Sequence, residues 1–185
     1  MTEKGLMILF LVIAFAVCAQ ADTYNGEIEY TAGSGSNEAT IVIDFDLDDF
    51  FMFTYSWEGE AMGWDALDAL DTAGDLYVDS TWFEDWQSHF INDFDYPGGV
   101  EYDYSADGFP GWHYYGSSDN ENWSQNTGVD YRILNDGDWD SWVWTNYDQS
   151  WLPLRGPGEA PVPEPMTFGL LGLGGLMLRR RKGRR

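Results

Sequence analysis

Cysteine is almost absent from this chain. The single cysteine among 185 residues is Cys18, which lies in an apolar N-terminal segment that we expect to be removed. The mature chain would then contain no thiol, which excludes disulfide bonds, cysteine-ligated metals and cysteine nucleophiles. Its stability must come from its core or from bound ions.

Basic residues are nearly as scarce between the two ends of the chain. Residues 22–160 contain 30 acidic residues but only two basic ones, Arg132 and Arg155, so their formal net charge is −28. The absence of lysine there excludes Schiff-base chemistry, and the negative charge should repel phosphate backbones, so we expect no nucleic-acid partner. The same charge should attract cations. Aliphatic residues are sparse, whereas aromatic residues make up 17% of the chain and should supply much of the core.

The N-terminus reads as a secretory signal peptide over residues 1–21. An apolar run, Leu6–Val17, is followed by an A-x-A cleavage motif. The run is short for a membrane span, so cleavage is favoured over an uncleaved helix or a lipoprotein signal at Cys18. The residues expected to define the cleavage site are Ala19, Ala21 and Asp22.

The C-terminus has three parts in a fixed order. A Pro-Glu-Pro motif is followed by the apolar, glycine-rich stretch Met166–Leu178 and then by a basic tail over residues 179–185. The stretch would rise only about 20 Å as a helix, short of the roughly 30 Å hydrocarbon core of a bilayer. The arginines should remain cytoplasmic under the positive-inside rule.

This arrangement, over about residues 161–185, resembles the PEP-CTERM sorting domain. The resemblance implies an exported bacterial protein that is held transiently in the inner membrane by its C-terminal transmembrane helix. Export machinery and an exosortase, a membrane protease, would deliver it to the cell envelope or extracellular matrix. The alternative is a permanent short anchor that is never cut. The implied sorting residues are Val162, Pro163, Glu164, Pro165, Arg179, Arg180 and Arg181.

The middle of the chain predicts a mainly β (α+β) fold, a single β-rich domain with one short amphipathic helix. We place this acidic, aromatic-rich domain at residues 22–156, before a proline-rich linker at 157–165. The helix is predicted over Gly63–Ala73, where apolar residues recur three apart. Strands are predicted where β-branched and aromatic residues cluster between turn residues: Glu27–Thr31, Ala39–Phe45, Phe50–Trp57, Val100–Tyr104, Gly111–Tyr115, Val129–Leu134 and Ser141–Thr145.

Several short segments of this domain are similar to an uncharacterised group of secreted, β-rich bacterial proteins. The segments are Gly35–Ala39, Tyr55–Gly59, Gly111–Tyr115 and Asp136–Trp144. The group has no assigned activity, so the resemblance implies no catalytic residue.

Three alternating aspartates form a candidate Ca²⁺ site. Asp136, Asp138 and Asp140 have the spacing that opens a calcium-binding loop, and their oxygen ligands suit this ion. The rest of the EF-hand pattern fails, because Ser141 and Tyr147 occupy the positions of the required glycine and glutamate. The alternative is a turn with solvated aspartates, and no other cofactor is expected.

Two functions of different class fit these features. The first is a non-enzymatic envelope or matrix protein that has a structural or binding role, with extracellular polysaccharide as a candidate partner. The second is a secreted glycan-acting hydrolase that uses an Asp/Glu pair. Aromatic residues of the C-terminal half could form a sugar-stacking surface, but their alternation favours a place in the core: Trp112, Tyr114, Tyr115, Trp123, Trp139, Trp142 and Trp144. His89 and His113 read as packed or surface imidazoles.

Overall fold

A computed structural model describes residues 24–46, 49–99, 110–126 and 128–158. The predicted signal peptide with its cleavage site, the predicted sorting motif and C-terminal helix, and the predicted strand Val100–Tyr104 lie outside these residues. No helix within the described ranges has the length and hydropathy needed to cross a membrane.

The domain is mainly β, as predicted, with one α-helix among the described residues. Five of the predicted strands are present with ends shifted by one or two residues. The elements in chain order are β1 (Ile28–Gly33), β2 (Asn37–Asp46), β3 (Asp49–Trp57), α1 (Gly63–Ala73), β4 (Tyr77–Phe83), β5 (Ser88–Asp95), β6 (Gly111–Ser117), β7 (Ser124–Gln125), a 3₁₀ turn (Val129–Tyr131) and β8 (Trp139–Thr145).

Six strands form one mixed sheet in the order β1-β3-β2-β8-β6-β7. β2 and β3 are antiparallel, with Thr40 opposite Thr54, and β6 and β8 are antiparallel, with Tyr114 opposite Trp142. The parallel pairing of β2 with β8 connects these two parts, and β1 pairs in parallel with β3 at one edge of the sheet. The central strand β2 therefore joins the N-terminal half of the domain to its C-terminal half.

The helix α1 covers one face of this sheet. Its predicted bounds are confirmed, and its Leu67 and Leu70 are almost fully buried, while Asp68 faces solvent. The carboxylate of Asp65 accepts a hydrogen bond from the backbone N–H of Met62 at 2.8 Å, which satisfies one of the unpaired donors at the helix start.

The core between the helix and the sheet combines aromatic and aliphatic side chains. Phe53 is fully buried, with the rings of Tyr30 and Tyr96 centred 5.0 and 5.2 Å away. Trp142 stacks on Tyr114 at 4.4 Å with their planes 7° apart. Aromatic side chains therefore supply much of the core, as predicted.

A separate antiparallel hairpin, β4–β5, was not predicted. It pairs Tyr77 with Asp95 and Phe83 with Ser88, and a turn over residues 84–87 connects the strands. The buried side chains of Ile91 and Phe94 join it to the main core.

The strand predicted over Val129–Leu134 is wrong. Residues Val129–Tyr131 form a 3₁₀ turn, and Ile133 makes only an isolated bridge with Met62. Val129, at the start of this turn, and Leu134, after it, are both buried. The apolar pattern therefore reflects two separately buried side chains and not the alternation of a strand.

Candidate functional site

Exposed aromatic rings surround an open cavity at the tip of the β4–β5 hairpin. The cavity has a volume of about 560 Å³. Its aromatic wall consists of Phe83, Trp86, Phe90 and Tyr131. Trp86, Phe90 and Tyr131 are each more than half exposed, and with Phe83 they place four exposed rings around one cavity. We call this feature the aromatic cavity.

The hairpin fixes the positions of these rings. In its register, Phe83 lies opposite Ser88 and Thr81 lies opposite Phe90, so Phe83 and Phe90 share one face. Their ring centroids are 6.3 Å apart, and Trp86 in the turn lies 5.1 Å from Phe83. The Tyr131 hydroxyl donates a hydrogen bond to the carbonyl of Trp86. The 3₁₀ turn is thereby bonded to the hairpin across the cavity.

The other face of the hairpin holds His89 rigidly in the cavity wall. The His89 ring stacks on Trp64 of α1 at 3.5 Å, and Trp82 lies 4.9 Å away. Nδ1 of His89 is 3.0 Å from an Asp130 carboxylate oxygen, and the Ser88 hydroxyl donates to the same carboxylate at 3.1 Å. The prediction of a packed imidazole is consistent with these contacts.

The charged groups of the cavity wall are mainly acidic. Asp85 lies in the hairpin turn and is exposed, and it has no hydrogen-bond or ion-pair partner among the residues that the structure describes. A smaller adjoining cavity is lined by Arg132, whose guanidinium contacts Asp138 at 2.9 Å and Asp140 at 3.1 Å. The cation nearest the aromatic cavity along its wall is therefore already neutralised by two carboxylates.

The three aspartates of the candidate Ca²⁺ site are each hydrogen-bonded to other residues of the protein. Asp136 accepts a hydrogen bond from the N–H of Glu38 at 3.0 Å, whereas Asp138 and Asp140 share the Arg132 guanidinium. The described part of the chain contains no group of three or more acidic, histidine or cysteine side chains arranged to hold a metal ion. Ca²⁺ binding at these residues stays a prediction.

Asp140 is the most perturbed of these carboxylates. It is almost completely buried, and it accepts hydrogen bonds from the Tyr114 hydroxyl and from Arg132. Burial raises the pKa of Asp140 to about 6, because the loss of hydration outweighs the support that Tyr114 and Arg132 give to the ionised form. Asp140 therefore reads as part of a structural polar network beneath the sheet.

The aromatic residues of the C-terminal half belong to the core, as their alternation predicted, and do not form a sugar-stacking surface. The rings of Tyr114, Tyr115, Trp142 and Trp144 are buried, and Trp112, Trp123 and Trp139 are partly buried against the core. The alternation of Trp142 and Trp144 with Val143 places both tryptophans on one face, as the sequence indicates. Most of the exposed rings of the aromatic cavity belong to the hairpin, and the β-branched and aromatic content of Tyr77–Phe83 was the signal that could have revealed this strand.

The opposite face of the sheet contains a buried ion pair that the sequence did not reveal. Nη1 of Arg155 lies 2.6 Å from a carboxylate oxygen of Asp44, and both side chains are almost fully buried. Nη2 of Arg155 donates to the carbonyls of Asp44 and Trp144. Asp44 also accepts a hydrogen bond from the Tyr24 hydroxyl, so the pair joins both ends of the described chain to the central strand. Burial raises the pKa of Asp44, although Arg155 opposes the shift.

Comparisons with known proteins place no relative beside this chain. The sequence matches no protein-family model, and neither a curated protein nor a solved structure shows significant similarity to it. The functional argument therefore depends on the aromatic cavity and on the two ends of the sequence.

Proposed function

We propose that this chain is an exported, exosortase-sorted protein of the cell envelope or extracellular matrix, and that its domain binds polysaccharide in the aromatic cavity without cleaving it. The ordered signals at the two ends of the sequence support the sorting part. The observation that supports the binding part is the ring of exposed Phe83, Trp86, Phe90 and Tyr131 around an open cavity.

The chemistry of the aromatic cavity suits a sugar. A pyranose ring has an apolar C–H face, which stacks on aromatic side chains, and hydroxyl groups at its edge, which need hydrogen-bond acceptors. The exposed rings of Trp86 and Tyr131 supply the first, and the carboxylate of Asp85 supplies the second. A cavity of about 560 Å³ is within the usual size range of a ligand site.

The binding part is tested by co-sedimentation of the full-length chain with insoluble glucan and chitin. A polyoxyethylene detergent keeps the chain in solution without adding sugar or charge. Trp86→Ala should lower binding by at least about fivefold, as expected when a central aromatic anchor is lost. Trp151→Ala is the matched control, because Trp151 and Trp86 are 66% and 65% exposed. Equal retention of the two variants would refute the binding part.

Release of soluble reducing sugar during the same incubation would instead support the glycan-acting hydrolase. Such release should then disappear on replacement of an acidic residue of the cavity, such as Asp85→Asn.

The sorting part has an independent test. Intact-mass analysis of the protein from its native envelope should show loss of residues 1–21 and cleavage near Pro163–Pro165. The second cleavage should require an active exosortase. An intact C-terminus with and without the exosortase would refute sorting and leave a short-anchored membrane protein.

A further inference from the structure

We infer that the aromatic cavity selects polysaccharides that carry positively charged amino sugars over neutral and anionic ones. This inference depends on the proposed sugar-binding function and names the ligand class of the same site. Its basis is the combination of aromatic rings and an exposed carboxylate around the cavity, with both arginines of the described residues already ion-paired.

The electrostatics of the domain favour a cation. Among the described residues, Arg132 and Arg155 are the only arginines or lysines, and both are ion-paired with aspartates. The same residues contain 24 aspartates and glutamates. An anionic polysaccharide would meet repulsion with no compensating basic side chain, whereas a cationic one would be attracted.

The local chemistry adds a directional preference. The faces of Trp86, Phe90 and Tyr131 carry the negative part of the aromatic quadrupole, so they attract an ammonium group as well as the apolar face of a sugar. Asp85 stands on the same wall with no described partner. A de-N-acetylated amino sugar presents an apolar ring face and an ammonium group together, which matches both parts of the wall.

The expected preference is modest, because the site is open to solvent. An exposed cation–π contact and an exposed ion pair together correspond to a gain in affinity of roughly three- to thirtyfold. Salt should reduce this gain, because exposed charge interactions are screened.

The test is calorimetric titration of the full-length chain with hexamers of glucosamine and of N-acetylglucosamine. The titration is run at about pH 6, where amines are protonated. The glucosamine hexamer should bind more tightly than the acetylated one. Asp85→Asn should remove most of that preference, whereas Asp68→Asn, which makes the same charge change on the solvent face of α1, should leave it intact.

Non-specific adsorption of a polycation to an acidic surface is the main competing explanation. It predicts that the Trp86→Ala and Trp151→Ala variants bind the glucosamine hexamer equally tightly. It also predicts that a lysine hexamer displaces the bound glucosamine hexamer as effectively as free glucosamine hexamer does. Either result would overturn the inference. Equal, Trp86-dependent binding of both sugar hexamers would also overturn it but leave the proposed sugar-binding function standing. Failure of both hexamers to bind would count against the inference and the proposed binding function together.

Discussion

Replacing Arg155 with methionine tests the contribution of the buried Arg155–Asp44 ion pair to stability. This pair lies on the sheet face opposite α1. Methionine keeps much of the apolar volume of the side chain but removes the guanidinium. Arg155→Met thereby deletes the contact with the Asp44 carboxylate and two hydrogen bonds to carbonyls. Asp44 stays 1% exposed, with the Tyr24 and Ser141 hydroxyls nearby but no positive charge.

The expected loss follows from the charge that remains. Breaking a buried ion pair by removing one partner destabilises a protein by about 3–5 kcal/mol, mainly because the other charge is left uncompensated. A mesophilic domain has about 5–15 kcal/mol of stability, so Arg155→Met should consume a large part of it. The double variant Asp44→Asn/Arg155→Met removes both charges and should recover at least about 1–2 kcal/mol relative to Arg155→Met alone.

The pH dependence supplies a second signature. Burial already raises the pKa of Asp44 when Arg155 is present, and loss of Arg155 should raise it further. Asp44 in folded Arg155→Met then keeps a proton that it releases in the unfolded state. The contribution of Asp44 to stability is therefore fully present below its unfolded pKa of about 4 and is lost as pH rises through its folded pKa. The deficit relative to the unmodified protein should therefore shrink on acidification from about pH 7 to pH 4.

The assay is urea unfolding followed by tryptophan fluorescence, for which the chain offers ten tryptophans. Leu154→Ala is the neighbouring control, because Leu154 is 40% exposed and its loss should change stability by less than about 0.5 kcal/mol. An Arg155→Met protein within about 1 kcal/mol of the original at pH 7 would refute the reasoning about the buried charge. So would a double variant no more stable than Arg155→Met.

Three further changes test the core, the raised pKa and the backbone by the same assay. Phe53→Ala should destabilise the domain by about 3–5 kcal/mol, because a fully buried ring between Tyr30 and Tyr96 is replaced by a cavity; a loss below about 1 kcal/mol would contradict this packing. Burial raises the pKa of Asp140 to about 6, so ionisation of this carboxyl should cost the folded state about 2 kcal/mol as pH rises from about 4 to 7; Asp140→Asn should remove that part of the pH dependence, and Asp68→Asn controls for net charge. An unchanged pH profile in Asp140→Asn would show that Asp140 is ionised throughout. Gly33→Ala should destabilise more than Gly137→Ala, because both glycines have positive φ but only at Gly33 would the added Cβ meet a carbonyl, that of Ser56 at 2.2 Å. Equal losses would contradict that close approach.

The sequence predicted the elements whose side chains have a strong local pattern. Such patterns are the Ile-Val-Ile run of β2 and the three-residue spacing between Leu67 and Leu70 in α1. Both elements lie where predicted. The β4–β5 hairpin was missed because its turn, residues 84–87, contains neither glycine nor proline and uses Gln87 at positive φ. The parallel pairings of β1 with β3 and of β2 with β8 depend on contacts distant in sequence, which no local pattern encodes.

The position of the candidate site could not be predicted from the sequence. The alternation around Trp142 correctly indicated buried rings, but no local pattern showed which other rings are exposed. Exposure is decided by which sheet face the helix covers, and that depends on the tertiary arrangement. Trp86 lies in the hairpin turn and Tyr131 in the 3₁₀ turn, and both rings are more than half exposed.

Arginine is rare among the described residues, and both arginines there have structural roles. An acidic domain gains little from an isolated surface cation, whereas a buried carboxylate on a central strand needs a nearby positive charge or a proton. Arg155 serves Asp44 on one face of β2, and Arg132 serves Asp140 on the other face of the neighbouring strand β8. Because both arginines form ion pairs with aspartates of the sheet region, neither neutralises the negative charge around the aromatic cavity. The same distribution that stabilises the centre of the domain thus leaves the cavity suited to a cationic ligand.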